Sequence, residues 1–251
     1  MTDRTATLIH LGPALVVGVL VLIAIAIAVN WTTSAVLARD TAVASIRAVV
    51  QLAALAAILA VVITRLPAAL AFVGVMAVVA SWTSASRVVA HRPSPRQVVT
   101  CLVPVAVPTM LVVACFVAVG VIPATGIAII PTTGIMFGGA MNTTSLAGRR
   151  AHDELVSRHG EADAARALGF PERDARLEII RTAASSALIP GLDQTRSVGL
   201  VTIPGAFVGM VLGGASTTTA AIMQLFVLIS LLAVSSIAMA ATVELIAREH
   251  L

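Results

Sequence analysis

Apolar stretches of roughly 20 residues, nearly free of charged side chains, follow one another along most of the chain. A helix of about 20 apolar residues is long enough to cross the hydrocarbon core of a bilayer. The pattern therefore predicts an all-α, polytopic membrane protein with about seven transmembrane helices. The predicted spans cover residues 11–30, 43–64, 67–86, 98–122, 126–147, 198–213 and 218–243.

The composition supports the same class. Hydrophobic residues make up 59% of the chain and charged residues 11%, with a mean hydropathy of +1.02. A soluble domain carries about 25% charged residues, so this chain has too little polar surface to cover a soluble core. The absence of Lys beside abundant Ala, Val and Arg is typical of a GC-rich bacterial genome. The net charge of +4 reflects Arg residues that flank membrane spans, and indicates no nucleic-acid partner.

The charged residues concentrate in one segment. Residues 149–181 hold seven Arg and seven acidic residues, against 16 and 12 in the whole chain. We expect a solvated segment at 149–197, between spans five and six of a single transmembrane domain, 1–251. The positive-inside rule places this segment in the cytoplasm. Only Arg4 and Arg65 then lie outside, which predicts a multi-pass plasma-membrane protein with an external N-terminus and a cytoplasmic C-terminus.

Part of the charged segment has the pattern of a helix-turn-helix. Ala, Arg and Leu favour a helix over Glu161–Leu168, and Gly169 suits the left-handed position that closes such a helix. Pro171 suits the start of a second helix, from Glu172 to about Ile180. Its apolar residues predict a knob that fills a groove on a partner protein, which a merely solvated loop would not need. The knob residues are Ala165, Leu168, Phe170, Leu177 and Ile180.

Polar residues inside spans are costly and point to a translocation path or a subunit interface. Arg47 and Gln51 lie one helical turn apart, either on such a surface or with Arg47 reaching the interface and Gln51 bonding a neighbouring helix. Asn142, beside Met141, either lines the inner mouth or caps its helix. Asp193 either pairs with Arg196 or contributes to a cation route, and we favour the pairing.

Glycines at helical spacing predict close helix contacts, with Gly134 four residues before Gly138 and Gly205 four residues before Gly209. These faces are either a subunit or gate interface or ordinary packing within the chain. Pro204 is expected to kink or break its span, which in transporters often marks the substrate path. The Met residues are either soft-metal ligands or apolar filler, and the scattered His residues assign no metal site.

No catalytic cluster is evident, so we expect no enzyme activity. A Walker A loop needs a Lys that this chain does not contain. The chain is therefore expected to bind no cofactor, and any use of ATP and Mg²⁺ would belong to a separate subunit.

This predicted helix-turn-helix resembles the EAA loop of ABC importer permeases. In "EADAARALG", Glu161 and Gly169 match the family pattern, and nine residues separate Gly169 from Ile179. Either the first part is two residues longer than in the family, or the match begins at "AARALG" without its Glu. Arg181 and Thr182 replace the closing Leu-Pro. The resemblance implies a coupling helix that docks into a cytosolic ATPase. The residues implied in docking are Glu161, Ala165, Leu168, Gly169, Phe170, Pro171 and Ile179.

Most of the chain is similar to the FetB family, permease subunits of an iron-export ABC transporter whose plant relatives are implicated in aluminium tolerance. The resemblance is carried by "IRAVVQLAALAAIL", "GIMFGGAMNTTSLAGRR" and, most specifically, "LIPGLDQTRSVGLVTIPG". Where many relatives have Pro-Gly-Met-Met, this chain has Pro204 to Phe207, "PGAF". If those methionines bind a soft metal in the family, their loss leaves the identity of this chain's substrate open.

The resemblance implies a permease that works in the bilayer as a homodimer with two ATPase subunits and exports iron, another metal ion or a small solute. The alternative is an ATP-independent channel or secondary transporter for a small solute or cation. Such a carrier ordinarily has acidic residues near the middle of its spans, and this chain has essentially none there.

Overall fold

The computed structural model describes residues 12–89 and 92–251, and within these ranges the regular structure is helical, with no β-strand. The all-α prediction is confirmed. Leu11, where the first predicted span begins, and Arg4 lie outside the described residues. The helices are α1 Pro13–Thr33, α2 Ala35–Val62, α3 Leu66–Val88, α4 Pro95–Ala118, α5 Gly126–Ser157, α6 His159–Ala167, α7 Glu172–Ser185, α8 Ile189–Ser197, α9 Gly205–Leu212 and α10 Thr217–Ala247, with a 3-10 turn at Ser186–Leu188 between α7 and α8.

Five helices of the described chain are long and apolar enough to cross a membrane: α1, α2, α3, α4 and α10. The protein is therefore a polytopic membrane protein. Helix α5 has 32 residues but is less apolar, because glycines and polar residues such as Asn142 interrupt its apolar part. It also runs ten residues beyond the predicted end of span five at 147, to Ser157.

The predicted span 198–213 is not one helix. Residues 198–204 form a bend in which Gly199 has φ +79°, and α9 begins only after Pro204, its N-cap. An eight-residue helix is about 12 Å long at 1.5 Å per residue, far less than a bilayer requires. The mean hydropathy of 198–213 does not reveal this break. Gly and Pro strongly reduce the stability of a helix but lower the mean hydropathy only a little.

The chain divides into two compact units, with the boundary after Val61. In the N-terminal unit, Asn30 of α1 donates a hydrogen bond from Nδ2 to Thr41 Oγ1 of α2, 2.7 Å away. Most side chains of these two helices are exposed, as expected for surfaces that face lipid. The single-domain organisation and the segment 149–197 stay predictions.

In the larger unit, α5 is the central helix and packs against α3, α4, α7 and α10. A side chain at Gly139 would collide with Leu231 of α10, and one at Gly148 would meet Val88 of α3, with Cγ2 2.6 Å from the added Cβ. These two glycines make room for side chains of α10 and α3. Of the predicted pair, Gly134 likewise faces Met76 of α3, whose Cε lies 3.0 Å from an added Cβ, whereas a Cβ at Gly138 would meet no described atom within 4 Å.

Candidate functional site

The predicted helix-turn-helix is present as α6 and α7, which we term the hairpin. Gly169 has φ +93°, a left-handed conformation that favours glycine. Its N–H donates to Arg166 O at 2.9 Å, and the Phe170 N–H donates to Ala165 O at 3.1 Å. This pair of bonds is the Schellman motif, which satisfies carbonyls at the end of α6. Pro171 then caps α7, so the chain reverses within a few fixed residues.

The tip of the hairpin presents two large apolar side chains to its surroundings. Leu168 is 80% exposed and Phe170 54% exposed, while Ala165 is partly buried. On a charged, solvated segment, adjacent exposed side chains of this size suit a binding surface better than they suit free solvent.

The predicted knob is wrong for the residues of α7. Ile180 is fully buried, Ile179 is almost so, and Leu177 packs against the same cluster. The cluster joins the hairpin to α5 and α10, where its buried members are Ala147, Ala151, Ala162, Ile179, Ile180, Ala184, Ala187, Val243, Ile246 and Ala247. The helical period of α7 puts Leu177 and Ile180 on the inner face, so only Leu168 and Phe170 remain as a knob.

Ion pairs hold α7 to the end of α10 in an arrangement that we term the clamp. Arg173 donates from Nε and Nη2 to the two carboxylate oxygens of Glu244, at 2.8 and 2.7 Å. Arg248 donates to the same carboxylate at 2.5 Å. Arg176 bridges Glu172, 2.7 Å away, and Glu249. The two-point geometry of Arg173 fixes orientation as well as distance.

A second ion-pair group stands where α5 meets α6. Arg158 donates to Glu161 at 2.8 Å and 2.5 Å and to Glu154 at 3.2 Å. The hydrogen bonds from Arg158 hold the pKa of Glu161 below its ordinary value. Glu161, predicted as a docking residue, therefore braces the junction of α5 and α6 and remains exposed.

His152, on the extension of α5, is a titratable group near the clamp. Burial lowers the pKa of its ring, with the charge of Asp153 raising it and that of Arg176 lowering it further. The ring nitrogen Nε2 has no hydrogen-bond partner among the described residues.

Asn142 lines a small, partly polar cavity between α5, α8 and α10. Its volume is about 160 Å³. The Asn142 Oδ1 atom accepts a hydrogen bond of 3.1 Å from Arg87, and the Met141 carbonyl accepts bonds from Ser84 and Ser145. Other polar groups on the cavity wall come from Thr143, Gln194 and Ser235. The backbone at Met141 and the side chain at Asn142 thus help to join α3 to α5.

The remaining polar path candidates are spread over different elements. Arg47 and Gln51 are exposed and one turn apart on α2, in the N-terminal unit. On α8, Arg196 lies 3.4 Å from Asp193, which confirms their pairing, although both side chains are mostly exposed. Exposed pairs of this kind contribute little stability.

The glycines of α9 make no close contact with the other described residues. A Cβ at Gly205 or Gly209 would meet no described atom within 4 Å. At these two glycines the structure therefore gives no support to ordinary packing within the chain. An interface between subunits stays a prediction. Pro204, as predicted, interrupts helix in this region.

The structure adds two features that the sequence reasoning missed. The first is the clamp: Arg173 and Glu244 are 71 residues apart in the sequence, and no local sequence pattern predicts a pair at that separation. Gln224 lies on α10 between two apolar cavities, and its amide, the one amide side chain of that helix, was the available signal. Within the described residues, no group of three or more His, Cys, Asp or Glu is placed to hold a metal.

Comparison with known proteins gives a family across nearly the whole chain. Residues 14–251 match UPF0014, described as "Uncharacterised protein family (UPF0014)". The chain is 32% identical to the "UPF0014 membrane protein STAR2" of Oryza sativa subsp. japonica over 86% of this chain and 75% of the relative. It is 35% identical to the "Protein ALUMINUM SENSITIVE 3" of Arabidopsis thaliana over 45% of this chain and 41% of the relative.

A bacterial relative is the "Probable iron export permease protein FetB" of Escherichia coli, 24% identical over 87% of this chain and 84% of the relative. No solved structure matches the chain. With a family match that includes every described helix but the first residue of α1, the chain belongs to the UPF0014 family of membrane proteins, as its resemblance to FetB indicated.

Proposed function

We propose that the chain is the permease subunit of an ATP-driven ABC transporter and that the hairpin is its docking element. The observation that carries this proposal is the exposure of Leu168 and Phe170 at the tip of a hairpin whose other large apolar residues are buried in, or packed against, the cluster with α5 and α10. A partner groove that covers these two side chains would remove both from water at once.

The clamp and the buried cluster support a route for motion. Force applied at Phe170 passes through the short turn into α7, which is joined to α10 by Arg173 and to α5 by Ile180. Rigid helices joined in this way move together, whereas a flexible loop would absorb the displacement. Closure of a bound ATPase would then tilt α5 and α10.

The full assembly in this proposal is a homodimer of permeases in the plasma membrane with two cytosolic ATPase subunits that use ATP and Mg²⁺. The cargo is iron, another metal ion or a small solute, and the direction is export. The names of two relatives suggest this cargo: iron export for the Escherichia coli protein and aluminium sensitivity for the Arabidopsis one. The hairpin faces the cytoplasm, with the N-terminus outside and the C-terminus inside.

The test is a pull-down of the tagged permease from detergent, with ATPase activity assayed on the captured material. We expect a stoichiometric ATPase subunit that is lost from Phe170→Asp. The matched control is Val156→Asp, which places the same charge at an apolar side chain 77% exposed near the end of α5, outside the hairpin. That variant should keep the ATPase.

Capture of no ATPase, together with transport by proteoliposomes in the absence of ATP, would replace this proposal with the channel or secondary-transporter alternative. Equal capture by wild type and Phe170→Asp would remove the hairpin tip from the docking surface.

A further inference from the structure

Two apolar cavities meet at Gln224 of α10, on either side of α9. The larger has a volume of about 400 Å³ and is lined by Val198, Gly199, Ile203, Pro204, Phe207, Ala221, Gln224, Leu225 and Leu228. The second, of about 270 Å³, is lined on the α9 side by Ala206 and Met210. Cavities of about 300–1,000 Å³ are the usual size of sites for small organic ligands.

Gln224 is the polar group that both cavities share. Its side chain is only 7% exposed, and its carbonyl oxygen, Oε1, has no hydrogen-bond partner in the described part of the chain. A buried amide oxygen without a donor is unfavourable in apolar surroundings, and more so within a bilayer. The site therefore lacks one hydrogen-bond donor.

The chemistry of the walls restricts what can supply that donor. No charged side chain lines either cavity, so a bare metal ion would lose its hydration without a compensating charge. A second copy of the chain could reach an exposed amide across a flat helix face, but Gln224 is buried beneath that face. A small molecule that enters the cavity meets neither obstacle.

We propose that this pair of cavities binds a neutral amphiphile, whose apolar body fills the larger cavity and whose hydroxyl or amide N–H donates to Gln224 Oε1. Phe207 and Leu228 would contact the apolar body, and Gln224 would select for the donor. Such a ligand comes either from the bilayer, as a lipid with a free hydroxyl, or from water, as a solute. The proposal does not depend on ATP coupling or on the hairpin.

The experiment uses the full chain in phosphatidylcholine nanodiscs and two photoreactive probes. One is a long-chain alcohol with a diazirine, and the other is its methyl ether, which has the same body but no donor. In the wild type we expect the alcohol to label peptides from α9 and α10 about fivefold more than the ether, the factor for one net hydrogen bond. Gln224→Leu should abolish the preference and leave Tm unchanged or raised, because it removes an unpaired amide.

Two further variants separate binding from misfolding. Ala221→Phe fills the larger cavity and should reduce labelling by both probes. Ile222→Leu, at an exposed residue of α10 that lines neither cavity, is the matched control and should keep the preference for the alcohol. Equal labelling of the wild type by the two probes, or a preference that survives Gln224→Leu, overturns the proposal.

Competition identifies the source of the ligand. Displacement of the alcohol by dioleoylglycerol in the bilayer supports a lipid, and displacement by octanol added to the water supports a solute. If neither competes with the probe, labelling is unrelated to a binding site and the proposal fails.

Discussion

Gly169 shows how one residue positions the hairpin. Its left-handed conformation lets the backbone reverse between α6 and Pro171, and the resulting turn presents Leu168 and Phe170. An added Cβ would meet no described atom within 4 Å, so the constraint at this position is conformational and not steric crowding.

We expect Gly169→Ala to destabilise the protein by about 1 kcal/mol, the cost of a left-handed conformation for a residue with a Cβ. Thermal unfolding in detergent should show a lower Tm. Gly160→Ala is the control, since Gly160 lies within α6 and the same change should raise Tm slightly. A Tm for Gly169→Ala equal to the wild type would contradict the role assigned to this turn.

His152 should make the larger unit sensitive to mild acid. Because the folded protein lowers the pKa of this ring below 6.5, the unfolded chain binds the proton more readily. Its stabilising contribution is present above pH 6.5 and is lost as the pH falls toward the lowered pKa.

The measurement is Tm at about pH 7.5 and about pH 5.5, values on either side of the ordinary His pKa. Acidification should lower the Tm of the wild type by more than it lowers the Tm of His152→Leu. His159→Leu, a change at an exposed ring, should behave as the wild type. An identical loss in His152→Leu would exclude this residue as the source.

At the scale of elements, α7 is attached twice, by a buried apolar face and by the clamp. The carboxylate of Glu244 receives Arg173 from α7 and Arg248 from its own helix, so one group connects two elements. The pairs are partly exposed, and their main effect is on orientation.

A double-mutant cycle of Arg173→Met and Glu244→Gln should give a small favourable coupling free energy, as for other solvent-exposed ion pairs. In proteoliposomes with the ATPase, each single variant should hydrolyse ATP but transport less cargo per ATP. Arg181→Met, at an exposed residue of α7 outside the clamp, is the control and should transport normally. If the stability changes of the two single variants simply add, and both variants transport as well as the wild type, the clamp has no role in coupling.

Local chemistry explains which elements were predictable. The turn at Gly169 and Pro171 is specified within a few residues, and the sequence predicted it. The burial of Ile180 depends on Val243 and Ile246, which reach it only through tertiary packing, so the knob was overestimated. Span 198–213 failed for a different reason: its mean hydropathy is that of a span, but Gly199 and Pro204 interrupt the helix.

At the scale of the whole molecule, the placement of Arg residues remains the basis for orientation. We expect Thr125→Cys, before α5, to react with an impermeant maleimide on intact cells, and Gly160→Cys, after α5, to react only after lysis. The background should lack Cys101 and Cys115, the two native thiols. The reverse labelling pattern would invert the proposed topology and place the hairpin away from a cytosolic ATPase.

The cluster around Ile180 also sets an order of assembly during synthesis. The hairpin leaves the ribosome before α10, yet Val243, Ile246 and Ala247 of α10 form part of its core. Until that helix has inserted, α7 has neither its apolar floor nor Glu244 to hold Arg173. A chain interrupted before α10 would therefore present the tip without the support beneath it, and a partner that needs the supported hairpin would bind only once α10 is in place.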